Sequence, residues 1–519
     1  MAEYLSPGVY IEEVNSGPRP IEGVGTAMAA FVGFAPAGPV NKATLVTNWS
    51  QYVDTFGVAQ NGGRKTPHMK GAYLSHAVYG YFLNGGGRCY VTRVGSDGAK
   101  TTKPAALPLA SRASRAITSF TLQTKDDDST PIDIEVAAPT GDAPPEGSFT
   151  IKLRRGSTEE KFENVTVAKG KGVKNVVETL TQQSQLVTAV ESMAAGSVAD
   201  RTPELGSFVL SIPEASAMPT KTMKPTDLAG DVSARTGIEG LEVKEDVTMV
   251  CCPDLMSALE YKLIDAEGVK SVQTKMIAHC ERAGDRMAIL DPPPGLSAQQ
   301  VKQWRERDTN YDSKFATLYY PWINVPGPDG EPMLVPPCGH MAGVFARSDN
   351  ERGVHKAPAN EVVRGVLSAA TEITKGEQDV LNPIGVNCIR SFTGGGIRVW
   401  GARTLSSDPA WRYINVRRLF NYVEKSIERG TQWVVFEPND SDLWARVRRD
   451  VGAFMTGVWR SGALFGLTAE QAFFVKCDEE LNPPDVRDRG QLVIEIGMAP
   501  VKPAEFVIFR LSQFAGGGV

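Results

Sequence analysis

Histidine and cysteine are the first residues of this 519-residue chain to test for chemistry, and their nearest pairs are His279 with Cys280 and Cys338 with His340. A protein metal site needs donors at spacings such as C-x-x-C or H-x-x-x-H, which let two side chains reach one ion from one turn or helix face. Neither pair has that spacing. The run Asp126–Asp128 lacks the spaced ligands and the glycine of a calcium loop and reads as a solvated loop. The triplets Gly85–Gly87 and Gly394–Gly396 would be phosphate cradles if their N–H groups faced an anion. Each, however, leads directly into a strand, where a tight turn explains the glycines. Ser461, in RSGALFG, has no GxSxG elbow around it and reads as part of a helix-ending turn. No catalytic residue, cofactor-binding residue or metal ligand is assigned, and no enzyme activity is expected.

One charge pattern stands out. The chain carries a net charge of −5, yet Arg412, Arg417, Arg418, Lys425, Arg446, Arg448, Arg449 and Arg460 crowd into fifty residues. Some are solvated helix faces with partners a turn away, such as Glu424 and Glu428 near Arg429. The others, Arg417, Arg418, Lys425, Arg446 and Arg449, are read as a basic face toward an acidic protein partner. An acidic chain gives no reason to expect nucleic acid.

Two helices must carry these residues. Asp408 before Pro409 is an N-cap followed by proline at the first helical position. Trp411, Ile414, Leu419, Val423 and Ile427 then recur at helical steps until Gly430. QWVVF, from Gln432 to Phe436, reads as a short buried strand ended by Pro438. Asn439, Asp440 and Ser441 offer caps for a second helix with the apolar row Leu443, Val447, Val451, Phe454 and Val458. Trp400, Trp411, Trp433, Trp444 and Trp459 are expected to fill the core between them.

The rest of the chain sorts by composition. Residues 1–25 form an arm: Val9, Tyr10, Ile11 and Val14 lie in a short alternating strand tethered by Pro and Gly, which cannot bury itself alone. Residues 26–96 and 236–500 alternate apolar strands with helices, the signature of a parallel sheet covered on both faces. Helices are expected at Ala258–Ala283 and Ser297–Arg307, and one strand through KFATLYYPWINV. Between the two parts, residues 97–235 turn polar and read as an inserted β-rich domain with one helix near Val173–Val190. After Pro500 and Pro503, residues 501–519 repeat the arm pattern with Phe506, Ile508, Phe509 and Leu511.

A doubly wound sheet invites a nucleotide-binding reading. Yet the strand ends here are CCPDL and DPPPGLS, where proline removes donors, and neither GxGxxG after a strand nor GxxxxGK[ST] occurs. The seven cysteines, an odd number with only Cys251 and Cys252 close, read as buried thiols made in a reducing cytoplasm. The start, MAEYLSPGVYIEE, is unlike a signal peptide, and no apolar run approaches the ~20 residues of a membrane helix.

WGARTL, YINVRRLFNYVE, GTQWVVFEPND, LWARVRRDV and the closing paired strands occur in the order found in contractile tail sheath proteins, and YLSPGVYIEEV resembles the start of that family. The chain thus resembles the sheath subunits of phage tails and phage-tail-like injection particles. The resemblance implies a discontinuous α/β core with an inserted outer domain and strand arms at both ends. It also implies stacked hexameric rings around an inner tube, a homo-oligomer that contacts the tube protein, baseplate and terminal cap proteins. It implies contraction from a metastable extended state, with the basic face directed at the tube. No cofactor, nucleic acid or membrane insertion belongs to this reading. The alternatives are a nucleotide- or metal-dependent enzyme on a Rossmann-like core, and a static capsid or tube protein.

Overall fold

The apolar runs align into one nine-stranded sheet in the computed structural model, which describes residues 21–59, 65–95, 106–114, 117–125, 132–141, 144–156, 158–170, 173–192, 197–210 and 222–510. The strands are β1 (Ala29–Gly33), β2 (Thr44–Val46), β3 (Cys89–Arg93), β4 (Met249–Cys251), β5 (Met287–Leu290), β6 (Ala316–Tyr320), β7 (Glu361–Val362), β8 (Val386–Phe392) and β9 (Gly396–Trp400). Their order is β7-β9-β8-β6-β5-β4-β1-β3-β2. From β8 through β3 every pairing is parallel. The outer strands β2, β9 and β7 join antiparallel. Every residue of β1, β4, β5 and β6 is buried, as a sheet covered on both faces requires.

Two of the covering helices meet at backbone distance. These are α1 (Leu74–Leu83) and α3 (Cys338–Arg352), with α2 (Ala266–Ala283) between them in sequence. A Cβ on Gly339 would lie 2.4 Å from the Ala77 backbone, and one on Gly343 would lie 2.6 Å from the Tyr81 carbonyl oxygen. Only glycine fits there. The first twelve residues of α3 are buried all round, which is why the helix shows little amphipathic pattern.

The expected long helix from Ala258 is two, Asp254–Glu260 and α2, because Asp265 caps a fresh start by accepting from the Gly268 N–H. KFATLYYPWINV is likewise two strands, β6 and Ile323–Pro326, in different sheets. The helix expected over Val173–Val190 ends at Gln183, and Val187–Glu191 is a strand.

A second apolar cluster, including Leu109, Phe120, Ile134, Phe149, Ile151 and Leu180, lies within residues 106–210. A four-stranded and a three-stranded antiparallel sheet enclose it. Met223 and Leu228 pack in the main cluster, whereas the last described member of this second cluster is Leu210.

The third cluster belongs to the C-terminal part. It joins α4 (Ile414–Gly430) and α5 (Ser441–Arg460) to a hairpin of β10 (Phe473–Lys476) and β11 (Glu495–Met498). Asp440 caps α5, accepting from the Leu443 N–H at 2.9 Å, and Leu443, Val447, Val451 and Val458 are buried as the spacing predicts. Asp408 and Pro409 do start a turn, but it is a separate 3-10 turn, Pro409–Trp411, ahead of α4. QWVVF is not a strand. Gln432–Val434 make one 3-10 turn, and Phe436 is fully exposed with φ +70°. Of the five tryptophans assigned to this core, only Trp444 is buried, and Trp400 is 38% exposed.

Candidate assembly surfaces

The basic residues divide into inner and outer sets. Arg418 is internal: its guanidinium donates to Asp349 Oδ1 at 2.8 Å and Oδ2 at 2.6 Å, and to the Thr26 carbonyl at 2.9 Å. The Thr26 hydroxyl donates to the same Asp349 at 2.6 Å. Arg417 donates to Asn421 at 2.6 Å and Glu424 at 2.9 Å, with its guanidinium 4.5 Å from the Trp411 ring and 4.8 Å from that of Phe315. Both side chains are only 3% exposed. This corrects the expectation of a basic surface at Arg417 and Arg418. The first turns of α4 are wedged between α3 on one side and aromatic rings on the other, so neither arginine reaches solvent. Lys425 is mostly buried between Asp285 and Glu428. Arg446 and Arg449 do reach solvent, with side chains 46% and 51% exposed. Arg446 covers the Trp433 ring at 4.5 Å, and Arg449 donates to the adjacent Asp450 at 3.0 Å.

Both terminal segments are rooted on α4. Ile21 packs so closely that a Cβ on Gly430 would meet it at 2.7 Å, and the Val24 N–H donates to Ser426 Oγ at 3.1 Å. At the other end of α4, Asn415 donates to the Val501 carbonyl at 3.1 Å. Glu505 accepts four hydrogen bonds, two from Arg403 at 2.8 and 2.7 Å, one from Asn382 at 2.8 Å and one from Tyr413 at 2.9 Å. Burial pushes the Glu505 carboxyl up, but these donors hold it below the ordinary carboxylate range. Beyond it, Phe506, Val507, Ile508 and Phe509 are 69–83% exposed and belong to no strand. Leu511 lies outside the described residues, as do Val9, Tyr10, Ile11 and Val14. Sequence reasoning singled out the apolar run and missed Glu505, whose only signal is a lone acid directly before it.

The crevice where a doubly wound sheet would take a nucleotide lies between β1 and β4, where the chain order reverses. The chain fills it with its own carboxylate. Asp254 accepts from the Phe34 N–H at 2.5 Å and from the N–H groups of Tyr73 and Leu74 at the head of α1. A Cβ on Gly33 would meet Asp254 Oδ2 at 2.4 Å. The donors that would hold a phosphate therefore hold Asp254.

Among the described residues one cluster has metal-like geometry, Glu239, Glu242 and His279, with ligand atoms within 4.8 Å of one another. Arg282 already donates to both glutamates, and Arg286 lies 2.9 Å from His279 Nε2. Two guanidiniums meet the cluster's charge, so it is a half-exposed ion-pair group around the buried His279. Asp126–Asp128 lie outside the described residues. Among the described residues no helix is long and apolar enough to cross a membrane.

Burial shifts four groups in opposing directions. It lowers His76 to about 3 and His340 to about 4, and raises Asp254 and Asp291 to about 7. The histidines' contribution is complete above their ordinary 6.5 and is lost as pH falls through it. The aspartates' contribution is complete below 3.8 and is lost as pH rises toward 7. Across roughly pH 4.5 to 6, the two pairs of slopes, each of order 1.4 kcal/mol per pH unit per proton, offset one another. Relative to the parent protein, a His76→Gln/His340→Gln variant should therefore lose up to ~2.7 kcal/mol per pH unit across that range. Urea midpoints at three pH values test this, and parallel curves would contradict it.

Sequence profiles place these features in context. The profile of the phage tail sheath protein central domain matches residues 235–405, and that of the phage tail sheath C-terminal domain matches residues 406–514. The tail sheath protein of Vibrio phage KVP40 is 31% identical over 177 residues, 33% of this chain and 26% of that protein, so the chain spans only about a quarter of it. The tail sheath protein of Burkholderia phage BcepMu is 24% identical over 98% of this chain and 96% of its own length. Among solved structures, a chain of the anti-feeding prophage baseplate is 25% identical, with a TM-score of 0.57, over 99% of this chain and 100% of that one. The anti-feeding prophage helical sheath in its contracted state gives 24% and 0.60 over 98% and 99%.

Proposed function

This chain belongs to the phage tail sheath protein family, and from that premise we propose that it is the structural subunit of a contractile sheath. Copies polymerise as stacked hexameric rings around an inner tube and contract from a metastable extended state, driving the tube through a target envelope. The observation that carries this reading is the correspondence with a phage tail sheath protein over 98% of this chain and 96% of that one. The subunit sits in a phage tail or tail-like particle, with the tube, baseplate and terminal cap proteins as neighbours. The body within residues 106–210 faces outward as an accessory domain.

The physical design supports it. β10 and β11 form a two-stranded sheet, and such a pair is marginal alone. The apolar run from Phe506 to Phe509, exposed and outside any strand, is the complementary part. An arm of one subunit adds to the hairpin of another through main-chain bonds, which hold while the bodies they tether rotate. Contraction is then a switch between two packings of rigid bodies. Burying an extra few hundred Å² per subunit at ~25 cal/mol per Å² supplies several kcal/mol each. The enzyme alternative finds no support in the β1/β4 crevice, which Asp254 occupies.

Negative-stain microscopy of the purified protein tests the proposal: ridged helical tubes are expected, and a discrete monomer or dimer under all conditions would sink it. Arg446 and Arg449 remain the candidates for the tube-facing charge. Reversing both to glutamate should change folding stability by no more than ~1 kcal/mol, as expected for exposed charges. It should nonetheless abolish extended sheath-on-tube particles at ~0.15 M salt, where exposed charges interact only over ~8 Å. Normal extended particles from this variant would return both residues to the solvated face.

A further inference from the structure

The four-bond clamp on Glu505 is larger than an unused tail requires. Ordering a chain end costs conformational entropy, and a single backbone contact such as Asn415 to Val501 would keep the segment nearby. Here a carboxylate is held on both oxygens by groups from three places in the sequence: Asn382, Arg403 and Tyr413. Arg403 is itself fixed, since its N–H donates to Asn387 Oδ1 at 2.7 Å and its guanidinium donates to the Asn382 carbonyl at 3.2 Å. The next residue, Phe506, is exposed. Packing against the body stops at a definite point.

Residues Ile21 and Val24 rest against the same helix. Ile21 lies on Gly430 and Val24 on Ser426, near the C-terminal end of α4, while Tyr413 and Asn415 hold the other segment at its N-terminal end. The seventeen residues of α4 form a rod about 25 Å long at ~1.5 Å per residue. The Arg418–Asp349 pair pins that rod to the central body.

We infer that Glu505 is the positioning residue of the C-terminal arm, and that α4 is a bracket holding the take-off points of both arms at a constant separation. The inference rests on the sheath reading for its purpose. Whatever bending contraction needs then occurs outside the bracket. Neighbouring subunits are thereby spaced by a rigid part, not by slack linkers. Arg403, Asn382 and Tyr413 act through Glu505, and none needs to touch a neighbour.

Limited chymotrypsin digestion of the full chain, read by intact mass, isolates the clamp from assembly. In the parent protein cleavage is expected after Phe509 and not after Phe506, because a cut at Phe506 would thread residues 503–506 through the protease. In Glu505→Ala, cleavage after Phe506 should rise roughly tenfold or more as the root opens locally. Glu505→Gln, which keeps one acceptor oxygen, should restore much of the protection. Asn382→Ala/Tyr413→Phe, which leaves the arm sequence intact, should behave like Glu505→Ala in weaker form. The thermal midpoint of the body should stay put. In the assembly arm, Glu505→Ala should give short or irregular sheaths and Glu505→Gln near-normal ones. An unchanged digestion pattern in Glu505→Ala and in the double variant would overturn the clamp, and parent-like sheaths from Glu505→Ala would overturn its positioning role. If the parent protein forms no sheath, the functional reading fails while the digestion result still judges the clamp.

Discussion

Replacing Arg418 by alanine should remove about 3–5 kcal/mol of folding stability, because Asp349 would be left as an uncompensated buried charge. The site gives Asp349 little other support. The Thr26 hydroxyl remains as a donor, but both charge-assisted bonds come from Arg418. Of typical stabilities of 5–15 kcal/mol, this is a large share. Removing both charges with an Arg418→Met/Asp349→Leu pair should recover most of the loss, since breaking a buried pair costs far more than replacing it. Urea unfolding of the three proteins measures this directly. A loss below ~1 kcal/mol for the single variant would mean that the pair behaves as a surface salt bridge. The same result governs charge-reversal experiments on α4. A reversed Arg417 or Arg418 loses folding stability and so cannot report on assembly alone, whereas the exposed Arg446 and Arg449 can.

Removing residues 1–20 should abolish polymerisation entirely while leaving a folded subunit. Ile21 belongs to the α4–α5 cluster, so a cut before it keeps every described member of that cluster. Extending the cut through Thr26 should have a different effect. It strips Ile21, worth ~1.5–3 kcal/mol of burial, and the two hydrogen bonds by which Thr26 completes the Arg418–Asp349 pair. The shorter truncation should therefore show parent-like circular dichroism and no tubes in sedimentation, and the longer one a clearly lowered thermal midpoint as well. Normal tubes from the shorter truncation would show that the first twenty residues link no subunits.

Local order was legible because its causes are local. Asp440 caps α5, Leu443, Val447, Val451 and Val458 of its apolar row are buried with Phe454 half-buried, and the continuous apolar strands form a parallel sheet. Each depends on residues within a turn or a strand of one another. QWVVF shows the limit of that reading, since five mostly apolar residues suit a strand or a turn equally until something packs on them. The helix pattern also misled over Arg417 and Arg418, because amphipathic reasoning assigns charge to solvent. Which face of α4 meets solvent was settled by Asp349, sixty-nine positions away, and by the aromatic rings around Arg417. Asp254, which fills the β1/β4 crevice from 220 positions beyond Phe34, is the same kind of case. The order of motifs was enough to indicate a sheath subunit. Which of its charges are surface and which are structural ties depended on long-range packing, because a charge is buried only when a distant partner arrives to neutralise it.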